Sequence, residues 1–310
     1  MKLSRYSSRM AGGTSSGTRM LFLSIMIGSF LPALSGLLSY VRGQEFINPR
    51  RMLPPGSYII CRFAARQTAA WRTRRRPERG RAGRRFTPIQ VRMEQHMSPV
   101  AEKAQAARAA SHHLAVLPTE AKNKALSAMA AALSDNMAVI EAANRRDLDA
   151  GRGKGLAGAM LDRLLLNRKR VELMAANLRT MAELDDPVGT VIKAWTAPNG
   201  MKMSRVRTPI GVIGIVYEAR PNVTTDTAGL CIKAGNTIIL RGGSEAIHSN
   251  SILAKLLSEA GTAAGLPPGA IQFIETTDRE AVSELLGLAG LIDLVIARGS
   301  HRLIKAVTEA

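Results

Sequence analysis

The alternation of apolar and polar positions changes character twice along the chain. From Ser98 onward, apolar residues recur at helical spacing. Ser98 sets a capping side chain before Pro99 at a first helical position, and an alanine-rich stretch follows to Leu117. Pro118 interrupts it. Thr119 is placed to cap a second helix, Glu120 to about Ala143, on which Ala125, Met129, Ala132, Leu133 and Ile140 form one apolar stripe. Gly151 to Gly155 reads as a loop. A third helical run, Ala159 to Leu184, carries Leu161, Leu164, Leu165, Val171, Met174 and Leu178.

The period shortens at Asp186 and Pro187. Val188 to Lys193 and Met201 to Arg207 read as two strands around a Pro198–Asn199–Gly200 turn, a hairpin signal. Strands and helices then alternate. Strands are predicted at Ile210–Tyr217, Thr237–Leu240, Ile271–Ile274 and Leu291–Ile296. Helices are predicted at Val223–Ala234, Ala246–Ala264, after a Thr277/Glu280 capping box, and from His301. Unbroken apolar strands separated by amphipathic helices need cover on both faces, so the pattern predicts a Rossmann-type α/β parallel sheet behind an N-terminal helical segment.

In such a sheet the chemistry follows the strands, at their C-terminal ends. Those positions hold Tyr217, Glu218, Ala219, Arg220, Pro221 and Asn222 after the first strand. Arg241, Gly242, Gly243, Ser244 and Glu245 follow the second, and Arg298, Gly299 and Ser300 the fourth. Two of these loops set arginine and glycine or serine at a helix start. Unpaired N–H groups and the helix dipole favour an anion there, and a guanidinium forks phosphate with two parallel bonds. The glycine fingerprint of dinucleotide turns is absent, because Gly211 and Gly214 lie within the first strand, so the residues alone point to nucleotide or phosphate binding. Gly151 to Gly155 lacks the phosphate-loop spacing and follows no strand; it reads as a solvated connection between helices. Plainer roles stay open: Tyr217 as a strand-end core residue, Glu218 and Arg220 as a pair, Glu245 as a first-turn dipole residue, and His248 as helix surface.

A net charge of +19 first suggests a nucleic-acid partner, but its distribution removes that reading. Residues 1–92 hold 18 Lys and Arg, 17 of them Arg, against Glu45 and Glu78, while the rest sets 25 basic against 22 acidic residues. The arginine-rich part has no apolar face to bury and only Trp71 and Phe86 as stacking platforms, so disorder and no nucleic acid are expected. Arginine nearly to the exclusion of lysine is also what GC-rich DNA upstream of a true start encodes, with Met93 and Met97 as later starts; residues 1–92 thus read as a non-native or disordered extension. Met20 to Val41 runs 22 residues without a charge. That is long enough for a ~30 Å bilayer core, leaving a membrane-tethered, non-catalytic nucleotide-binding module as the alternative. Cys61 and Cys231, far apart, argue against a disulfide framework and for a reducing, cytoplasmic setting.

The strings PIGVIGIVYEARPNVT, LCIKAGNTIILRGGSEAIHSN and LIDLVIARGS, with AMLDRLLLN and DPVGTVI upstream, resemble the γ-glutamyl phosphate reductase (glutamate-5-semialdehyde dehydrogenase) family of the aldehyde dehydrogenase superfamily. The likeness runs from about Pro99 to the C-terminus. It implies an NADP-binding domain over residues 93–310 without the glycine fingerprint, and NADPH reduction of L-glutamyl 5-phosphate to L-glutamate 5-semialdehyde with release of phosphate, in proline biosynthesis. It implies that Asn222 donates to the reacting oxyanion and that Tyr217 to Pro221 line the nicotinamide side. Arg241 to Glu245 would meet the adenosine ribose and its 2′-phosphate, with Arg241 selecting NADPH, and Arg298, Gly299 and Ser300 would approach the pyrophosphate. A homo-oligomer or glutamate 5-kinase is implied as partner of the intact enzyme. The family's nucleophilic cysteine lies in a separate catalytic domain beyond the matched residues, so the chain reads as a truncated reductase. Cys231, between Leu230 and Ile232, reads as a packing residue.

Overall fold

This computed structural model describes the backbone of residues 59–62, and residues 97–278 and 280–309 in full. The hydrophobic stretch 20–41, and the disorder expected of residues 1–92 apart from 59–62, lie outside the described residues. Ile59–Arg62 is the one described part of that segment. It forms strand β1, led by two β-branched isoleucines, and pairs antiparallel with the strand at Leu294–Arg298.

Five helices come first: α1 Pro99–Leu114, α2 Thr119–Asp135, α3 Met137–Gly153, α4 Gly158–Leu164 and α5 Arg168–Glu183. Ser98 caps α1 as its sequence predicts, its Oγ accepting from Ala101 N at 3.1 Å. Two predicted helices are each divided. The second breaks at Asn136, whose amide donates to the Ala132 carbonyl at 2.8 Å and so competes with the helix for that acceptor. The third breaks at 165–167, where Asn167 caps α5 by accepting from Arg170 N. Thr119 is the first residue of α2 rather than its cap, and its hydroxyl donates to Asp186. Helix α3 runs on to Gly153, which shortens the predicted glycine loop.

Strands β2 Val191–Thr196 and β3 Lys202–Val206 form the predicted hairpin, exposed along its whole length. After it come β4 Val212–Tyr217, α6 Asn222–Lys233, β5 Thr237–Arg241, a 3₁₀ turn at Ser244–Ala246 and α7 Ile247–Ala263. The chain continues through β6 Ile271–Phe273, α8 Glu280–Gly287, β7 Leu294–Arg298 and α9 His301–Glu309. Glu280 opens α8 as its first residue, not as the third position that a capping box from Thr277 requires.

The sheet order is β1-β7-β4-β5-β6. The four strands β4 to β7 are parallel, and β1 is an antiparallel edge that the sequence reading lacks. Every residue of β4 and β5 is buried, as a strand covered on both faces requires. Helices α1, α8 and α9 share one apolar cluster with the sheet, including Val100, Ala104, Val216, Ile239, Leu285, Val295 and Val307. Helices α6 and α7 also lie against the sheet, and α2 and α5 pack on α6. Burying a leucine-sized side chain contributes roughly 1.5–3 kcal/mol, so these apolar layers fix the strand ends that carry the loops.

Polar clamps set the sheet's register. Asp293 Oδ2 accepts from Val212 N at 2.8 Å and from Arg108 at 2.9 Å, tying α1 to the start of β4. Asn236 Oδ1 accepts from both Ile210 N and Gly211 N. Gly211, at φ +123°, has the Asp293 carboxylate against its α-carbon, so no side chain fits there.

Candidate functional site

The chain reaches β5 and β6 on one side of β4 and then returns to β7 on the other. The β4/β7 boundary is therefore the topological switch point, where a crevice opens beyond the strand ends. The three loops singled out by the sequence leave the C-terminal ends of β7, β4 and β5, which are neighbours in that order. The fold brings them together.

Their contact is close. Glu218 N donates to the Arg298 carbonyl at 3.2 Å. The Glu218 carboxylate crosses the switch point to α9, with Oε2 accepting from Ser300 N at 2.9 Å and Oε1 from Ser300 Oγ at 2.6 Å. An anionic group thus sits on the first donors of α9, where the dipole favours negative charge. On the other side, a Cβ on Gly243 would stand 3.4 Å from Ala219 N and Glu218 Cα, and one on Gly242 would meet Asn250 and, at 3.2 Å, the Tyr217 ring. Gly242 therefore leaves no room for a side chain against Asn250 and the Tyr217 ring, whereas a Cβ at Gly243 would only touch the β4 loop.

Each singled-out side chain has a definite place. Tyr217 is 1% exposed, and its hydroxyl bonds Thr224 Oγ1 at 2.6 Å, which in turn donates to Asn250 Oδ1; burial pushes the phenol's pKa well up. Its side chain belongs to the core, so the strand end it anchors faces the crevice mainly through backbone. Ala219 is half-buried against a small cluster formed by Leu148, Leu164 and Ala246. Arg220 is exposed, and its N–H bonds the Glu218 carbonyl at 2.7 Å. Pro221 is buried ahead of α6.

Asn222 opens α6 at the crevice, exposed, with Nδ2 donating to Asp226 Oδ2 at 3.1 Å. Asp226 also receives Asn177 Nδ2 at 3.3 Å. Burial raises the Asp226 pKa, while the bonds from Asn222 and Asn177 and the charge of Arg298 act the other way. Asp226 thus holds one amide hydrogen of Asn222 and fixes its plane, leaving the second to be aimed outward.

Arg241 does not face outward. It is 9% exposed, and its guanidinium donates to the carbonyls of Gly242 (3.1 Å), Thr277 (2.7 Å) and Asp278 (3.2 Å). Burial lowers its pKa, against the nearby charges of Glu245 and Asp278, and its Nε has no partner among the described residues. The side chain braces the β5 and β6 loops. Ser244 is exposed, Glu245 half-buried with its carboxylate folded back over Gly243, and Arg298 and Gly299 flank Ser300 at the crevice mouth.

The sequence reading missed two acids. Asp147, on α3, accepts from His248 N, Ser249 N and Ser249 Oγ at 2.6–3.1 Å, so a carboxylate more than a hundred residues away caps α7. Nothing local signals it. Asp226 carried a readable signal, since four residues on a helix bring it onto the Asn222 face.

The aldehyde dehydrogenase family model matches residues 87–310. The chain belongs to the aldehyde dehydrogenase family. It is 59% identical over 210 residues to a γ-glutamyl phosphate reductase from Moorella thermoacetica, covering 68% of this chain and 50% of that one. One from Clostridium novyi is 51% identical with the same coverage. The crystal structure of γ-glutamyl phosphate reductase from Thermotoga maritima superimposes with a TM-score of 0.67 at 42% identity, over 68% of this chain and 51% of that one. The chain thus spans about half the length of the curated relatives it matches. Members of the family use nicotinamide cofactors, and the crevice fits one: it already offers an N–H and a hydroxyl to an anion, beside two glycines that leave the loops bare. Among the described residues no helix is long and apolar enough to cross a membrane.

Proposed function

We propose that this chain carries the cofactor-binding region of a cytoplasmic, NADPH-dependent reductase that converts L-glutamyl 5-phosphate to L-glutamate 5-semialdehyde with release of phosphate. The observation that carries the reading is the convergence at the switch point: Ser300 N–H and Oγ held by a carboxylate, Gly242 and Gly243 opening the neighbouring loops, and the Asn222 amide fixed at the same edge. Identity to relatives named for this reductase supplies the substrate. Bound at the crevice, the nicotinamide would supply the hydride.

The chain's own residues bind and orient. Ser300, Gly299 and the start of α9 take the pyrophosphate once Glu218 withdraws, the dipole and N–H groups offsetting its charge. Asn222 donates its outward amide hydrogen to the oxyanion that develops at the substrate carbonyl, a fixed donor that needs no reorganisation during the reaction. Cys231 is not the nucleophile: it lies buried in α6, and burial pushes its thiol up to about 12, far from a thiolate at neutral pH. The attacking cysteine belongs to a domain outside these residues. Homo-oligomerisation and a kinase that supplies the acyl phosphate complete the proposal.

The test is titration of the whole chain with NADPH, followed by nicotinamide fluorescence. Saturable binding that ADP-ribose competes away is expected. A flat titration would remove the cofactor reading and leave the fold.

A further inference from the structure

One carboxylate at the crevice edge is buried without an ion pair. Asp226 lies four residues after Asn222 on α6, so the two side chains share a helix face, about a turn apart. It is 4% exposed. Among the described residues its carboxylate meets two neutral amides, Asn222 Nδ2 at 3.1 Å and Asn177 Nδ2 at 3.3 Å, while the charge of Arg298 acts from farther off. The other buried or half-buried acids of this fold are better served. Asp186 and Asp293 each pair with a cation, and Asp147 takes three donors at the start of α7.

A buried carboxylate held by neutral donors is costly, because amide hydrogen bonds do not cancel its charge. Burial raises the Asp226 pKa for that reason. The cover over it is thin. Asn222 is exposed, and Asn177, on α5, is half-buried and bonds at the long end of the N–H···O range. A carboxylate has about four lone-pair sites, so a cation entering beside Asn177 finds acceptors still open without displacing Asn222.

We infer that Asp226 recognises the α-ammonium group of the amino-acid substrate, selecting L-glutamyl 5-phosphate over acyl phosphates that lack the amine. The inference rests on the proposed reductase activity, with Asn222 on the reacting carbonyl oxygen. The spacing agrees. In that substrate the ammonium nitrogen stands ~5 Å from the carbonyl carbon when the chain is extended, and one helical turn advances about 5.4 Å. A substrate laid along α6 puts its carbonyl at Asn222 and its ammonium at Asp226, where it supplies the counter-charge that the fold leaves out. An acyl phosphate without the amine leaves Asp226 between its two amides and forgoes that gain.

The test uses the whole chain with NADPH and two stable probes, L-glutamine and its deaminated counterpart glutaramate, whose carboxamide stands for the reacting carbonyl. Binding is followed by NMR titration. The wild type binds glutamine about tenfold to a hundredfold more tightly, the range of one charge-assisted bond. Asp226→Asn and Asp226→Ser weaken glutamine to the level of glutaramate and leave glutaramate within about twofold. Asn177→Ala, which keeps the charge, keeps the preference. In the wild type glutamine, and not glutaramate, shifts the Asn177 side-chain amide signals, which reads the contact even where neither Asp226 variant folds. Equal binding of the two probes, binding of neither, or a preference that survives both Asp226 variants would overturn the inference. Equal weakening of both probes by those variants would also overturn it, leaving Asp226 as a support for Asn222 alone. In each of these cases retained NADPH binding keeps the reductase reading standing, and a chain that binds no NADPH sinks that reading itself.

Discussion

Asp186 offers the sharpest test of how the helical layer is fastened to the sheet. It follows α5, pairs with Lys122 of α2, and also accepts from Thr119 Oγ1 at 2.8 Å and Val188 N at 2.9 Å. Lys122 is 1% exposed and Asp186 11%. Lys233 of α6 is buried nearby, donating to Asn123 Oδ1 at 2.6 Å and to the Ala182 carbonyl at 3.0 Å. Burial is the largest influence on its pKa and lowers it; Lys122 adds to the lowering, and Asp186 opposes it. Replacing Asp186 by Asn leaves two buried ammonium groups without their shared counter-charge. A buried charge stranded in this way costs about 3–5 kcal/mol. A ceiling comes from deprotonation: neutralising a lysine of ordinary pKa ~10.4 at pH 7 costs about 4.6 kcal/mol, at 1.36 kcal/mol per pH unit. Lys122→Met is milder, about 1–2 kcal/mol, because the remaining carboxylate keeps its Thr119 and Val188 donors and some water. The expected order in urea unfolding at pH 7 is therefore Asp186→Asn well below Lys122→Met, with the double variant costing less than the sum. Acid should act like the Asn variant. Burial raises the Asp186 pKa, but the Lys122, Val188 and Thr119 bonds outweigh it and hold it below its ordinary value. A lowered carboxylate contributes fully above its unfolded pKa of ~3.9 and loses the contribution as pH falls through the folded value. The wild type should thus lose stability below about pH 4, and Asp186→Asn should have a flatter acid limb. Lys122→Met costing as much as Asp186→Asn would refute the reasoning.

Asn144→Leu should lower stability by about 3 kcal/mol in the same assay, since it strands the buried Leu166 N–H and Leu164 carbonyl that Asn144 bonds at 2.8 and 2.7 Å. Gly269→Ala should cost about 2–4 kcal/mol: φ is +91°, and a Cβ would stand 2.7 Å from the Ala106 carbonyl oxygen, which is backbone and cannot move aside. Cys231 should stay unalkylated by iodoacetamide at pH 8 in the native chain and react fully in urea, read by mass spectrometry of its peptide; native labelling would contradict its raised thiol pKa of about 12. Glu218→Gln should tighten NADPH binding about two- to fivefold by removing the charge that occupies the α9 donors, and weaker binding would mean that Glu218 contacts the cofactor itself.

The sheet and its order of strands and helices were legible because apolar runs such as 212–217 and 237–241 need burial on both faces whatever surrounds them. The helix breaks were less so. Neither Asn136 nor Asn167 is a breaker like proline, and each acts through one side-chain bond whose use depends on local geometry. Strand β1 was hidden because Ile59–Arg62 holds only three apolar residues before an arginine, inside an arginine-rich segment; pairing with β7 gives it a role. For the site, position was readable and direction was not. Sequence places Arg241, Glu218 and Asp147 near strand or helix ends, yet says nothing about carbonyls at 277 and 278, a serine 82 residues away, or a helix start 102 residues away.

That gap between position and direction decides where an anion can bind. Two helices that begin beyond strand C-terminal ends, α7 and α9, have their first donors taken by carboxylates from elsewhere. Asp147 is buried, makes three bonds and joins α3 to α7, so displacing it would cost the tertiary contact as well as the cap. Glu218 is exposed, holds Ser300 with its carboxylate, and sits on a loop whose backbone also donates to the Arg298 carbonyl. On the proposed reading its carboxylate swings into water at the cost of exchanging two hydrogen bonds for hydration, a net of about 1–3 kcal/mol that an arriving pyrophosphate would regain on the same donors. The start of α7 is thus a structural joint, and on the proposed reading the start of α9 is an anion site with a removable occupant.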